Sequence, residues 1–173
     1  MSEANEANEA VEKQVGEELR ERKETVATAE SCTGGLVCSL LTDVPGSSDY
    51  VDRGLVTYAY DAKRAVLGVS REALDEHGAV SEPVAREMAC SARDVADVTW
   101  GVSTTGIAGP DGGTEDKPVG TVFVGVAYAA PWESGDSFVT VSRYEFDGSR
   151  KEIKAKMARQ ALTDLHKRLE RLT

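Results

Sequence analysis

The feature that most constrains this chain is a short β-prone run that leads through a serine and two glycines into an apolar helical stretch. The run Val26-Ala27-Thr28-Ala29 is followed by Glu30-Ser31-Cys32-Thr33-Gly34-Gly35. A strand, a tight loop and a helix in this order are typical of α/β folds, and the loop places free backbone N–H groups at the positive end of a helix dipole. The Ser31 hydroxyl at this point suits either a nucleophile beside an oxyanion hole or a cradle for phosphate.

Patterns of strands and helices alternate along the chain and then give way to a hairpin. The two long β-branched and aromatic runs near the end of the chain are predicted to be adjacent antiparallel strands. We predict a mixed sheet sandwiched between helices. The predicted strands are residues 25–29, 53–60, 99–104, 119–128 and 137–146, and the predicted helices are residues 11–19, 36–44, 61–67, 70–76, 81–95 and 153–172.

Length and composition predict one domain with its own core. At 173 residues the chain needs no metal or disulfide to stabilise its core. Residues 1–10 repeat small and acidic side chains and are predicted to be a mobile lead-in, and residues 11–173 to be a single domain. No apolar run approaches the roughly 18–20 residues of a membrane span, and we expect no signal peptide. The three cysteines form no CxxC pair, which favours reduced thiols and a cytoplasmic location.

The charge of the chain argues against one class of partner. A net charge of −10 is unfavourable for a nucleic-acid surface, because phosphate contacts need clustered Lys and Arg. Acidic residues number 30, and Arg outnumbers Lys, so we also consider a source that lives at high salt.

Ser31 has a structural interpretation and a chemical one. A serine before a helix is commonly its N-cap, but Gly34 and Gly35 allow a ligand to approach the backbone closely. Neither GxSxG nor SxxK is present at this serine, so no familiar hydrolase motif is met. Cys32 is an alternative nucleophile, although a small buried cysteine is the commoner role.

A serine nucleophile needs a base, and the histidines are poor candidates. His77 lies before a glycine at a predicted helix end, and His166 is predicted to be a solvated residue of the last helix. Lys63 follows the end of an apolar strand, where sites of α/β sheets collect, and Tyr58 precedes it by five residues. A lysine acts as a base when burial lowers its pKa, and a tyrosine can relay the proton.

Two further segments are candidates for substrate binding. The loop from Thr104 to Gly113 resembles a phosphate or substrate loop, but it lacks the GxxxxGK[ST] order, and a flexible connection is equally compatible with its glycines. Arg150 stands at the start of the last helix, where a cation opposes the helix dipole, which indicates another reason for its presence.

Five ordered blocks of this sequence resemble the CinA C-terminal domain family, also known as nicotinamide-nucleotide amidohydrolase. The resemblance runs from about residue 11 to the end. The blocks are Ala29-Glu30-Ser31-Cys32-Thr33-Gly34-Gly35, Val44-Pro45-Gly46-Ser47-Ser48, Gly78-Ala79-Val80-Ser81-Glu82-Pro83-Val84-Ala85, Thr105-Gly106-Ile107-Ala108-Gly109-Pro110 and Lys117-Pro118-Val119-Gly120-Thr121-Val122.

The resemblance implies a three-layer α/β/α sandwich that cleaves the carboxamide of nicotinamide mononucleotide, giving nicotinate mononucleotide and ammonia. It implies Ser31 as the nucleophile, Tyr58 and Lys63 as the activating pair, and Thr105 and Gly106 as site-lining residues. We expect N–H groups of residues 32–35 to hold the oxyanion, and Arg150 and the glycine-rich loop are the two candidates for the phosphate contact. No metal and no cofactor are implied.

The sequence departs from the family pattern at two places. Asp111 replaces the glycine that usually follows Pro110, and Ser149 replaces the aspartate of a Gly-Asp-Arg block before the last helix.

The alternative hypothesis is a catalytically silent module of the same fold that binds a nucleotide or a partner protein. The presence of Ser31, Tyr58 and Lys63 together favours the enzyme over the silent module. The family also leads us to expect a homodimer, and we expect neither nucleic acid nor membrane as a partner.

Overall fold

The computed structural model describes residues 10–172, which contain six α-helices, one short 3-10 helix (Ser47–Asp49) and five strands. The helices are α1 (Val11–Arg22), α2 (Leu36–Thr42), α3 (Tyr60–Leu67), α4 (Arg71–His77), α5 (Glu82–Ala96) and α6 (Arg150–Arg171). The strands are β1 (Val26–Glu30), β2 (Val51–Val56), β3 (Trp100–Gly106), β4 (Thr121–Tyr128) and β5 (Phe138–Glu145). Apart from residue 10, the predicted lead-in lies outside the described residues.

The sheet is mixed, as predicted, and its strand order is β2-β1-β3-β4-β5. β1 runs parallel to both β2 and β3, whereas β4 is antiparallel to β3 and β5. In this register Glu30 lies beside Val56 on one side and Thr104 on the other. The carboxyl ends of three parallel strands therefore meet at one edge, so the segments that follow them converge there.

Two hydrophobic cores lie on opposite faces of the sheet, which confirms the three-layer α/β/α architecture. One core contains apolar side chains of α1, α2 and α6, including Leu19, Leu41 and Met157. The other contains side chains of α3, α4 and α5, including Leu74 and Met88. No helix among residues 10–172 is long and apolar enough to cross a membrane.

The second strand is shorter than predicted. β2 ends at Val56 rather than near residue 60, and α3 already begins at Tyr60. The N–H of Thr57 still donates to the carbonyl of Glu30, but the carbonyls of Thr57 and Tyr58 both accept from the Lys63 ammonium nitrogen. Two successive carbonyls cannot face one atom while the chain continues the alternation of a strand, so the strand ends here.

α5 extends one residue further than predicted, to Ala96, and its buried stripe ends there. Val95 is 51% exposed, whereas Ala96 is buried together with Val84, Met88 and Ala92. These buried residues recur every four positions, so the stripe continues to residue 96 rather than 95.

Candidate active site

Ser31 lies at the carboxyl edge of the sheet, immediately after β1. Its N–H donates to the carbonyl of Thr104 at 3.0 Å, and its own carbonyl accepts from Gly34 N–H at 3.1 Å. Ser31 is not the N-cap of α2, because that position belongs to Gly35, which has a φ of 104°. The tight turn fixes the serine backbone and leaves the residue 8% exposed, so the hydroxyl group is buried but lies close to the surface.

Lys63 projects from the first turn of α3 to the same point and is completely buried. Its Nζ lies 2.9 Å from Ser31 Oγ, 2.8 Å from the carbonyl oxygen of Thr57 and 2.9 Å from that of Tyr58. Carbonyl oxygens can only accept, so they take two of the Nζ hydrogens. A neutral amine then has one lone pair left, which accepts the hydroxyl hydrogen of Ser31. The ammonium form donates all three contacts, whereas the neutral amine donates two and accepts from the Ser31 hydroxyl, which is the arrangement a base toward the serine needs.

The surroundings of Lys63 favour its neutral form. Burial lowers the pKa of Lys63 from 10.5 to about 8, because the ammonium loses its hydration, while Cys32 opposes this shift. The sequence predicted the lowered pKa and its main cause. Neither Arg53 nor Arg64 contributes to this shift, although a like charge close to the lysine would act in the same direction. A substantial fraction of Lys63 is therefore unprotonated in mildly alkaline solution.

The thiol of Cys32, the residue after Ser31, has a raised pKa, in contrast to the lowered pKa of Lys63. Burial and the nearby Glu30 carboxylate raise the pKa of Cys32 to about 12. A thiol with this pKa stays protonated near neutral pH and is a poor nucleophile. Of the two nucleophiles that the sequence offered, the geometry and the electrostatics favour Ser31.

Two backbone N–H groups of the serine loop contact a thiol instead of an oxygen acceptor. The N–H of Gly34 is bonded to Ser31 and that of Gly35 to Glu30. The N–H groups of Cys32 and Thr33 have no oxygen acceptor within residues 10–172 and interact only with the Cys32 thiol. The predicted oxyanion site of residues 32–35 is therefore reduced to its first two N–H groups.

A family model for the CinA C-terminal domain matches residues 8–169. The chain belongs to the CinA C-terminal domain family. It is 48% identical over 153 residues to the nicotinamide-nucleotide amidohydrolase PncC of Escherichia coli, and the match covers 88% of each chain. It is also 53% identical over 156 residues to a CinA-like protein of Chlorobaculum tepidum, covering 89% of this chain and 36% of that relative. The chain thus spans about a third of the length of the CinA-like relative.

Solved structures of the CinA superfamily share this fold. A CinA superfamily protein from Klebsiella pneumoniae superposes with a TM-score of 0.85 at 32% identity, covering 93% of this chain and 96% of that one. The competence/damage inducible protein CihA of Agrobacterium tumefaciens gives a TM-score of 0.83 at 39% identity, covering 91% and 94% of the two chains.

The CinA-domain structure brings Ser31 and Lys63 together but places Tyr58 differently. Tyr58 contributes its backbone carbonyl to the Lys63 contacts, while the residue as a whole is 65% exposed. Its phenol hydroxyl makes no hydrogen bond to another described residue, so it lies outside the contacts of the Ser31–Lys63 pair.

The remaining predicted residues of the CinA-domain site have structural contacts of their own. The hydroxyl of Thr105 is buried and donates to the carbonyl of Ala79 at 2.8 Å. Gly106 packs against β4, where an added Cβ would meet the Thr121 carbonyl oxygen at 2.5 Å. Arg150 donates to the carbonyl of Gly109 at 2.6 Å and so joins the start of α6 to the glycine-rich loop.

Ser149, the departure from the family block, has a clear structural role. Its side chain accepts from the N–H of Glu152, whose carboxylate in turn accepts from Ser149 N–H. Serine and aspartate are both effective N-caps, so the substitution preserves the start of α6.

Glu30 is the site residue that the sequence analysis missed. It is 1% exposed, and one carboxylate oxygen accepts from the Thr33 hydroxyl and from the N–H groups of Gly35 and Val37, at 2.7, 3.2 and 2.8 Å. The other oxygen accepts from Cys38 N–H at 3.0 Å. The carboxylate lies at the N-terminus of α2, so it stabilises the helix and holds the serine loop against it. The sequence did contain a signal: a glutamate lies three to eight residues before these donors, close to the start of a predicted helix, where a carboxylate is a favourable acceptor.

The histidines do not supply a base to Ser31. His166 was predicted to be solvated, but its side chain is only 20% exposed and its Nδ1 lies 2.7 Å from Glu18 on α1. The pairing arises because α1 and α6 pack together on one face of the sheet. Residues 10–172 contain no cluster of three or more His, Cys, Asp or Glu side chains that could hold a metal ion.

Proposed function

We propose that this chain is an amidohydrolase that converts nicotinamide mononucleotide to nicotinate mononucleotide and ammonia, with Ser31 as the nucleophile. The observation that carries the chemistry is the contact between the buried Lys63 Nζ and Ser31 Oγ, together with two carbonyls that reserve the Nζ lone pair for the serine. The substrate is supported by 48% identity to the amidohydrolase of Escherichia coli over 88% of both chains.

The proposed mechanism is acyl transfer in two steps. Neutral Lys63 takes the hydroxyl proton of Ser31 as Oγ attacks the carboxamide carbon, and the N–H groups of Cys32 and Thr33 donate to the developing oxyanion. The ammonium of Lys63 then protonates the amide nitrogen, the C–N bond breaks and ammonia leaves. Lys63 next deprotonates a water molecule that attacks the acyl-enzyme, and this proton passes to Ser31 Oγ as the acyl–oxygen bond breaks. The released carboxylic acid loses its remaining proton to solvent, where ammonia takes it up.

This mechanism needs no proton relay through Tyr58, because Lys63 contacts Ser31 directly. The Tyr58 carbonyl instead orients the amine, and the residue is 65% exposed. We assign Tyr58 a positioning role through its backbone, and a substrate contact through its ring.

We also propose the cellular environment and the partners of the enzyme. The acidic composition supports a source that lives at high salt, and three free cysteines support a reducing cytoplasm. The family resemblance supports a homodimer, and the net charge of −10 argues against nucleic acid as a partner.

The deciding experiment is to incubate the purified chain with nicotinamide mononucleotide and to measure ammonia and nicotinate mononucleotide in equal amounts. The matched control is Ser31→Ala, which leaves the loop backbone in place. Release by the wild type and none by the variant supports the proposal. Calorimetric binding of the mononucleotide without release, at both low and high KCl, would support the silent binding module instead.

A further inference from the structure

Lys154 is a half-buried cation near the candidate site, without a partner among residues 10–172. It lies on α6, and its Nζ is 3.7 Å from the position that a Cβ on Gly34 would occupy. Its side chain makes no hydrogen bond or ion pair with any residue between 10 and 172. Three further lysines lack a partner in that part of the chain, Lys23, Lys151 and Lys167, but all three are exposed and hydrated by water.

The position of Lys154 on its helix places it beside Arg150. Residues four apart lie on the same face of a helix, so both cations face the two loops that border the site. Arg150 contacts the glycine-rich loop at Gly109, and Lys154 approaches the serine loop at Gly34. Like charges four residues apart repel each other, and the nearby carboxylate of Glu152 is already used to cap α6. The arrangement places two positive charges beside the loops that border the site.

We propose that Lys154 binds the phosphate group of the substrate and makes the site selective for nucleotides over nucleosides. This inference rests on the proposed function, because it names the part of the substrate that the Ser31–Lys63 pair does not contact. A mononucleotide carries its carboxamide and its phosphate on different parts of the molecule, so its phosphate site must lie near the nucleophile loop but apart from Ser31. Gly34 is three residues beyond the serine and satisfies both requirements.

The electrostatics of this position favour a doubly charged anion. A phosphate between Lys154 and Arg150 would relieve their mutual repulsion and give the half-buried ammonium acceptors that the protein does not provide. Gly34 has a φ of +60° and no side chain, so it leaves room for the anion beside the backbone. The other N–H groups of the Arg150 guanidinium can join the contact while one donates to Gly109.

The test compares Lys154→Met with Lys151→Met, which removes the same charge from an exposed neighbour on the same helix. For nicotinamide mononucleotide, Lys154→Met is expected to lower kcat/KM about 10–100-fold, mainly through KM, since one charge-assisted contact is lost. For nicotinamide riboside the change should stay within about threefold, and Lys154→Arg should recover much of the loss. Equal losses for the two substrates, or an equal effect of Lys151→Met, would overturn the inference.

A binding measurement separates this inference from the proposed function. If the wild type releases no ammonia, the proposed function fails, and calorimetry with nicotinate mononucleotide still tests Lys154. Weaker binding to Lys154→Met than to Lys151→Met then supports the phosphate site. Equal binding to both variants, or no binding to the wild type, overturns it. All titrations use one low KCl concentration, because salt screens the contact.

Discussion

The Nζ of Lys63 lies 2.9 Å from the Oγ of Ser31, although the two residues are 32 positions apart in the chain. The contact forms because β1 and β2 are parallel neighbours, so the turn after each strand reaches the same edge of the sheet. Two backbone carbonyls also accept from this nitrogen and hold it beside the serine. The fold therefore places an amine, and not a histidine, next to the Ser31 hydroxyl.

The rate of deamidation should depend on the protonation state of Lys63. The pKa of this lysine is lowered to about 8, so the reactive neutral form accumulates as the pH rises through that value. We expect kcat/KM to rise along a limb with an apparent pKa of about 8 and to level off above it. The measurement is a pH–rate profile in buffers of constant ionic strength. A flat profile between pH 7 and 9 would contradict a lysine base with a pKa of about 8.

Variants of the pair should show that the two side chains act as one unit. Lys63→Ala should lower kcat by about 10²–10⁴-fold, the usual contribution of general base catalysis, and Ser31→Ala should be at least as damaging. The double variant should lose little more than the worse single variant, because either change removes the same proton transfer. Single-turnover kinetics measure all three. Multiplicative losses would show that Lys63 acts independently of the serine.

The pH dependence of stability should reveal the burial of the same lysine. Between pH 8 and 10.5 the unfolded chain keeps a proton on Lys63 that the folded chain has lost, so unfolding takes up a proton. The free energy of unfolding of the wild type, relative to Lys63→Met, should therefore rise across this window by about 3 kcal/mol. Urea unfolding at several pH values measures the difference. The exposed control, Lys151→Met, should show no such trend relative to the wild type.

Glu30 should be essential to the serine loop. In Glu30→Gln the amide NH₂ replaces an acceptor, so it faces a backbone N–H of α2, and we expect a loss of about 1–3 kcal/mol in the free energy of unfolding. Turnover should also fall, because the loop that carries Ser31 is bonded to this carboxylate through Thr33 and Gly35.

The matched control for Glu30 is Glu152→Gln. Glu152 also accepts a backbone N–H at a helix start, but it is exposed, so water can replace the lost bond. Denaturant unfolding and kcat, measured on both variants, check the prediction. Equal effects of the two substitutions would show that the burial of Glu30 contributes neither to the free energy of unfolding nor to turnover.

Salt should stabilise the chain if its acidic composition is an adaptation to high salt. A net charge of −10 causes self-repulsion that KCl screens, so the Tm should rise from low to molar KCl. The dependence should weaken as the pH approaches the isoelectric point of about 4.7, where the net charge vanishes. A Tm that falls or stays constant with KCl would reject the adaptation.

Much of the fold was readable from local patterns. The apolar run of β4, the alternation of strands with helices and the Ser149 start of α6 depend on residues close together in the sequence, and these elements were predicted within a few residues. The end of β2 was not readable, because the strand-like residues 57–60 leave the sheet only in response to Lys63, which comes later in the chain.

The residue types of the candidate site are visible in the linear chain: a serine at a strand-to-helix turn, a lysine after the next strand, and glycines at close approaches. Which of their atoms meet depends on how distant segments pack. Burial of Lys63 and Glu30, the exposed ring of Tyr58 and the approach of Lys154 to Gly34 all arise from packing between distant segments. A pKa or an unpaired charge depends on the surroundings that packing creates, and those surroundings cannot be read from spacing along the chain.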